Sequence, residues 1–399
     1  MAALLNPGQG LAAQDEPLMQ AAKAAQPAAV KTLGQLVDIE TGTGDKAGMA
    51  DMADFLEKSL RADGADVTRH KAAHGVVGEN IVGTLHGAGG KRLLLMAHMD
   101  TVYPRGVVAP APFRTEGDQA YGPGVADDKS GIMVILYSLQ LLKQRGFHDF
   151  GTITVLFNTD EEQGSLGSRE LISKVAGASD FILSFEPTVL NPEVLTRGTS
   201  GIGRVTVDVT GRAAHAGAAP EQGTNALVEA ADIVLRTADL DQGPGKLRFN
   251  WTVMNAGRVY NVVPDHATLV GDLRYPDQAS FDATIKLLKE RLAKKRLPDA
   301  EIKLAVDPGR PPFNADAQSL ALIDKAKLIY QSIGFNLHVV PVTGGGTDAG
   351  YAAQSGKPVL EALGLPGFGY HTDSAGYVSI GAIPRRLYLA SQLIMTLGK

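Results

Sequence analysis

The most constraining feature of this chain is a switch in its hydrophobic pattern, which happens twice. Up to about residue 199, short, largely apolar runs alternate with helical patterns: Arg92–Ala97, TITVLFN at 152–158 and FILSF at 181–185 are separated by the long apolar stretch Ser130–Gln144 and a helix around Ser168–Val175. Continuous apolar strands separated by helices belong to a mostly parallel, doubly wound α/β sheet covered on both faces. Near Gly198 the texture changes. Arg204–Val209 (RVTVDV) alternates with period two, as a strand with one buried face must. A helix over Asn225–Thr237, strand-like runs at Arg248–Asn255, Arg258–Val263 and Ala267–Arg274, a charged helix over Ser280–Lys295 and a strand at Glu301–Val306 follow. That order is β-α-β-β-α-β, the ferredoxin-like α+β arrangement. From about Pro311 the first style resumes, with a helix at Gln318–Ser332, a short strand at Pro358–Glu361 and a last helix at Ile383–Leu397.

The expected organisation is therefore one α/β domain made of 1–199 and 312–399, with an α+β domain inserted at 200–311. A length of 399 residues fits two domains. The N-terminal helical pattern, Leu18–Val37, should break near Pro27, a second helix covers Met49–Ala62, and a strand Asn80–Leu85. The first fifteen or so residues read as a mobile tail. They lack the basic segment and long apolar run of a signal peptide. A periplasmic location is expected if a leader has been removed, a cytoplasmic one otherwise.

Composition narrows the chemistry. Lys+Arg number 38 and Asp+Glu 43, for a formal net charge of -5 with no basic block, which disfavours nucleic acid and anionic membrane surfaces as partners. No stretch approaches the length of a membrane span. Cysteine is absent altogether, so disulfides, thiolate metal sites and thiol nucleophiles are excluded. Any transition metal must be held by imidazole and carboxylate.

Such groups gather where strands should end. His98 and Asp100 follow the apolar strand at 92–97 and, two residues apart, share one side of it, so the carboxylate can orient the imidazole. An isolated HxD also suits an ordinary surface pair. Asp127 and Asp128 lead into the long helix within YGPGVADDKSG. A helix N-cap accounts for one of them, but two adjacent acids call for a cation. Asp160, Glu161 and Glu162 follow TITVLFN, an arrangement costly at a buried strand end without a metal or a proton, though a solvated acidic loop would also carry it. Glu186 follows FILSF, and His371 lies in a glycine-rich loop, GFGYHTD. Two His and several carboxylates at the ends of different strands of one sheet form a two-metal constellation. The ligand types suit zinc, with cobalt or manganese as possible substitutes.

The segments His98-Met99-Asp100, GPGVADDKSG, TDEEQGSLGSR, SFEPT, GRAAHAGAAPEQGTNALVEA, GGGTDAGYAA and GLPGFGYHTD, in this order, resemble the di-zinc exopeptidase family of aminoacylases, dipeptidases and desuccinylases, and within it the bacterial glutamate carboxypeptidases. The resemblance implies that His98, Asp127 and Glu186 hold one Zn2+ and that Asp127, Glu162 and His371 hold the other, with Asp127 as the bridge and a cis peptide after it. It implies Asp100 as the orienter of His98 and Glu161 as general base. In the inserted domain it implies Asn261, Arg274 and Arg310 as substrate-binding residues, Arg274 clamping a free carboxylate, and His215 as a residue reaching a partner subunit's site, hence a homodimer. Arg274 could instead pair with Asp272 or Asp277, Arg310 could serve a structural salt bridge, and His215 could be a plain turn residue. Lys129 and Asp128 read as structural.

The implied activity is hydrolysis of the amide bond to a C-terminal glutamate in folates, folate analogues or N-acyl-glutamates. Aminoacylase or dipeptidase activity with another side-chain preference is the alternative, and an inactive binding relative would be expected to lack Glu161 or a ligand. One stretch departs from the carboxypeptidase pattern: PTVLNPEVLTR, 187–197, is less polar, with Val194 where a Lys is expected.

Overall fold

The structure, a computed structural model, describes residues 14–372 and 376–399. Most of the expected tail, residues 1–13, therefore lies outside the described residues, but Asp15 belongs to the fold: it accepts the Leu18 amide as helix N-cap and pairs with Arg145 at 2.9 Å. The chain forms two compact units, one made of 1–197, 315–341 and 347–399, the other of 198–314 and 342–346.

The larger unit is α/β around a six-stranded mixed sheet. Its order is Asp66–Lys71, Glu79–His86, Thr152–Asn158, Arg92–His98, Phe181–Ser184, Val359–Leu360. The last four strands run parallel to one another and the first two are antiparallel. Arg92–His98 lies between its two sequence successors, so the chain passes first to one side of it and then to the other. Such a reversal leaves a crevice at the carboxyl ends of the strands. The five residues from Leu93 to Ala97 are all buried, as a central parallel strand requires. Three helices, Glu16–Asp38, Lys129–Gln144 and Ile383–Leu397, pack on one another. The first runs unbroken through Pro27. Proline removes one backbone bond there, but buried Ala22, Ala29 and Leu33 on either side tie both halves to the same core, and tertiary packing overrides the local preference.

A five-stranded sheet of very short strands also belongs to this unit. It sets Tyr377–Ser379 between Gln119–Tyr121, just before the Asp127 loop, and Pro366–Phe368, just before the His371 loop.

The smaller unit is a four-stranded antiparallel sheet, in the order Arg248–Ala256, His266–Tyr275, Gly201–Thr210, Glu301–Arg310, with helices Ala226–Arg236 and Gln278–Leu292. This is the β-α-β-β-α-β sequence with ferredoxin-like strand order. Val205, Val207 and Val209 point into its core and the residues between them do not. Arg258–Val263 is not a strand. Gly257 at φ 73° starts a turn, Tyr260 is 98% exposed, and Pro264, which cannot donate to a ladder, closes it.

The 187–197 segment is pinned from within. Glu193 accepts the Tyr330 hydroxyl at 2.6 Å and the guanidinium groups of Arg385 and Arg386 at 2.6 and 2.8 Å. Arg386 is wholly buried. Burial works to raise the Glu193 carboxyl, but Arg386, the Tyr330 hydrogen bond and Arg385 outweigh it and hold it below the usual 4.5. The contribution is thus present above about pH 4.5 and lost as pH falls through the lower folded value. Val194, beside it, is buried and bonded to Thr188 through both backbone groups, so the departure from Lys is a packing residue. Removing the acid would strand a buried guanidinium. Glu193→Ala should cost about 3–5 kcal/mol in urea unfolding at pH 7, with a smaller difference from the unsubstituted protein in acid. A loss under about 1 kcal/mol at pH 7 would contradict this role.

Candidate metal centre

The cluster is assembled from the carboxyl ends of the three neighbouring central strands and two loops. His98 ends its strand opposite Asn158, which ends the next. Its Nε2 lies 2.8 Å from Asp127 Oδ1 and 3.9 Å from Glu186 Oε1. The second oxygen of Asp127 lies 3.1 Å from His371 Nε2, which is 3.2 Å from Glu162 Oε1. Asp127 therefore stands between two imidazoles, one on each oxygen, with a further carboxylate beyond each. Its peptide bond to Asp128 is cis, as the resemblance implied.

Asp100 connects the two sides. Fully buried, it accepts the amides of Glu161 and Glu162 at 3.0 and 3.1 Å and the Thr43 hydroxyl at 2.7 Å, and its Oδ1 lies 3.3 Å from His98 Nδ1. His98 Nδ1 also lies 3.0 Å from the Asp100 carbonyl, so its other face is fixed and Nε2 is turned toward Asp127. Asp128 accepts the His98 amide at 3.3 Å. The helix it introduces passes close over the Glu186 strand end: a Cβ on Gly131 would lie 2.3 Å from the Phe185 carbonyl oxygen. Glycine in DDKSG thus serves close approach.

The electrostatics are those of acids crowded out of water. Burial pushes the Glu186 and Asp128 carboxyls well above the usual range. Burial acts the same way on Asp127, but hydrogen bonds from His371 and His98 overcome it and hold that carboxyl well below normal. His371 is pushed up to about 10 by its hydrogen bonds to Asp127 and Glu162. Among the described residues, buried Asp128 Oδ1 has no hydrogen-bond partner. A cluster of this many carboxylates withdrawn from water is the setting that a divalent cation stabilises. Among the described residues, two groups of side chains bring ligand atoms close enough to hold a metal ion: His98 with Asp127 and Glu162, and His98 with Asp128 and Glu186. Asp128 thus stands among the possible ligands as well as at the turn.

Lys129 lies apart from this chemistry. Fully buried, it donates to the Ile39 carbonyl at 2.8 Å at the end of the first helix, and burial lowers its pKa to about 7. Tyr103 has no counterpart in the sequence reading. Its hydroxyl donates to the Thr372 carbonyl at 3.2 Å, bracing the His371 loop. No spacing signal marks it, because its partner lies 269 residues away. Asp373 lies outside the described residues.

The remaining expected residues belong to the smaller unit. His215 and Asn261 are brought together there: the Ala216 amide donates to the Asn261 carbonyl at 3.0 Å. The amides of Gly217 and Ala218 donate to His215 Nδ1 at 3.2 and 3.1 Å, which leaves Nε2 to carry the proton in the neutral ring. Arg274 Nε pairs with Asp272 at 2.9 Å, the surface pairing that the sequence left open. Arg310 is buried, and its Nη1 donates to the Gly346 carbonyl at 2.5 Å.

Residues 94–396 match the profile of peptidase family M20/M25/M40. The chain belongs to this family. It is an enzyme, a metallopeptidase, with its candidate metal ligands at strand ends inside the matched region. It is 59% identical over 385 residues to carboxypeptidase G2 of Pseudomonas sp. (strain RS-16), covering 96% of this chain and 93% of that protein. The fold is also that of an aminopeptidase PepT from Bacillus cereus, with a TM-score of 0.79 at 23% identity over 94% of this chain and 99% of that one. A tripeptidase from Staphylococcus aureus superposes with a TM-score of 0.80 at 22% identity, covering 94% and 98%.

If Asp127 serves both halves of the cluster, Asp127→Ala should cut the metal bound per chain by more than half relative to the unsubstituted protein, measured by elemental analysis after dialysis. Metal content equal to that of the unsubstituted protein would reject that position for Asp127.

Proposed function

We propose that this chain is a zinc-dependent exopeptidase that hydrolyses the amide bond to a C-terminal glutamate in folates, folate analogues or N-acyl-glutamates. The observation that carries the reading is the 59% identity with carboxypeptidase G2, extending over nearly the whole of both chains. The donor set supports zinc: the His98 imidazole with two carboxylates in each of two groups, Asp127 and Glu162 in one and Asp128 and Glu186 in the other. In this reading His98, Asp127 and Glu186 hold one ion, and Asp127, Glu162 and His371 the other. When bound, the pair supplies Lewis-acid polarisation of the scissile carbonyl and an activated water at neutral pH.

The chain's own residues do the rest. Asp100 orients His98 and, through two amides, the turn that carries Glu161. The Glu161 carboxylate, itself largely buried, takes a proton from the attacking water and delivers it to the leaving amine. Arg274, its Nε spent on Asp272, meets the substrate's free carboxylate with its terminal nitrogens. Asn261 and Arg310 complete the substrate contacts. His215, protonated on Nε2, donates to the developing oxyanion in a partner subunit. Hydrolysis of another N-acyl amino acid or dipeptide is the second reading, favoured by the less polar 187–197 segment.

The decisive experiment is hydrolysis of methotrexate with and without added zinc, assaying free glutamate. Zinc-dependent release is expected. No release from protein holding two zinc ions would transfer the proposal to another acyl amino acid.

A homodimer is part of the same reading. The outermost strand of the smaller unit, Arg248–Ala256, exposes Val253 and Met254, and the helix Ala226–Arg236 exposes Leu227, Val228 and Leu235, the last at 77%. An apolar helix face and an open strand edge on one small unit suit pairing across a two-fold axis. Light scattering should report twice the chain mass, and a fully active monomer would overturn the role of His215 in a partner's site.

A further inference from the structure

The turn that carries Glu161 and Glu162 is held on its near side by Asp100. A second clamp grips its far side, and it originates 190 residues away in GGGTDAGYAA, a motif to which the function above gives no role. Asp348 stands at the N-cap of the short helix Ala349–Ala353. An Asp there ordinarily accepts an amide of the first helical turn, yet this side chain caps nothing. It points to the strand end instead. Its Oδ2 accepts Asn158 Nδ2 at 2.6 Å, and its Oδ1 accepts the Ser165 hydroxyl. One turn further along the helix, the Tyr351 hydroxyl donates to the Gly164 carbonyl at 3.0 Å.

Asn158 stands where the chain enters the Glu161–Gln163 turn, and Gly164 and Ser165 stand where it leaves. Gly164 and Ser165 both take left-handed conformations, at φ 88° and 57°. For Ser165, which has a side chain, that is an uncommon conformation that its surroundings must hold in place. Its amide donates to the Asp160 carbonyl at 2.8 Å, closing the turn. Asp160 in turn accepts the Gly167 amide and the Ser168 hydroxyl, each at 2.5 Å, and Asn158 Nδ2 lies 3.3 Å from the Ser168 oxygen. Asp348, Asn158, Ser165 and Ser168 are all buried, where a satisfied polar network is rigid and a broken one costly.

We propose that Asp348 is a positioning residue for hydrolysis: through Asn158 and Ser165 it fixes the turn that presents Glu161 to the reacting water and Glu162 to the metal. The proposal rests on the reading of Glu161 as the base. Supporting groups of this kind alter affinity or rate by about 10–100-fold when removed.

The test uses full-length protein and methotrexate. Asp348→Ala should lower kcat at saturating zinc by about 10–100-fold, with KM changed less than about threefold, and should lose zinc faster to a chelator. Asn158→Asp sets two carboxylates against each other and should lower kcat. Combined with Asp348→Asn, it restores one donor and one acceptor between these positions, so the double variant should recover part of the kcat that Asn158→Asp loses. Tyr351→Phe, which removes only one hydroxyl, should lower kcat measurably without unfolding and decides the matter with the paired exchange if Asp348→Ala does not fold. Unchanged kcat and zinc retention in folded Asp348→Ala, or failure of the exchange to recover activity, overturns the proposal. Glu161→Gln separates the two ideas: if it remains active the base assignment falls, whereas inactive Glu161→Gln beside a fully active Asp348→Ala rejects the positioning role alone.

Discussion

The Asp100 carboxylate is the joint on which the centre depends. It receives amides from the turn after one strand and lies against the imidazole that ends the neighbouring strand, with a hydroxyl from a third segment closing its coordination. A buried carboxylate is costly unless every lone pair is used, and here they are used by the groups whose positions matter. The acid, the imidazole and the turn are thus fixed relative to one another by the same desolvation that makes the site expensive.

That cost recurs through the larger unit. Glu186 and Asp128 are pushed up by burial, Asp127 is held down by two imidazoles, and the acids stand within reach of common ligand positions. The sheet provides the framework: a central strand flanked by its two successors brings three strand ends to the same edge of the sheet. The Glu193–Arg386 pair ties the segment after Glu186 to the last helix. The centre is therefore bordered by polar networks satisfied within the fold, which suits a site that must keep its shape while binding charge.

Much of this was legible in residue order. Apolar runs ending in His98, Asn158 and Ser184 marked the central strands, and the acids after them marked the site, because a parallel sheet leaves its strand ends open. The period-two run at 204–209 marked the smaller unit. The failures are local. Pro27 reads as a break, yet the helix continues because both halves share one core. Arg258–Val263 has the β-branched composition of a strand but lies in a turn started by Gly257. Thr43, Tyr103 and Asp348 carry no periodic signal, since their significance lies in partners 57 to 269 residues distant.

The sequence by itself determined the alternation of strand and helix, the interruption by an α+β unit, the restriction of metal chemistry to imidazole and carboxylate, and the family. Those follow from periodicity, composition and motif order, which are properties of neighbours along the chain. Tertiary structure decided that Asp127 places one oxygen toward each imidazole, that Asp348 abandons its own helix for a distant turn, and that Lys129 ends in a buried helix terminus. Each depends on which segments meet in space, and hydrogen-bond geometry and desolvation act on that proximity alone.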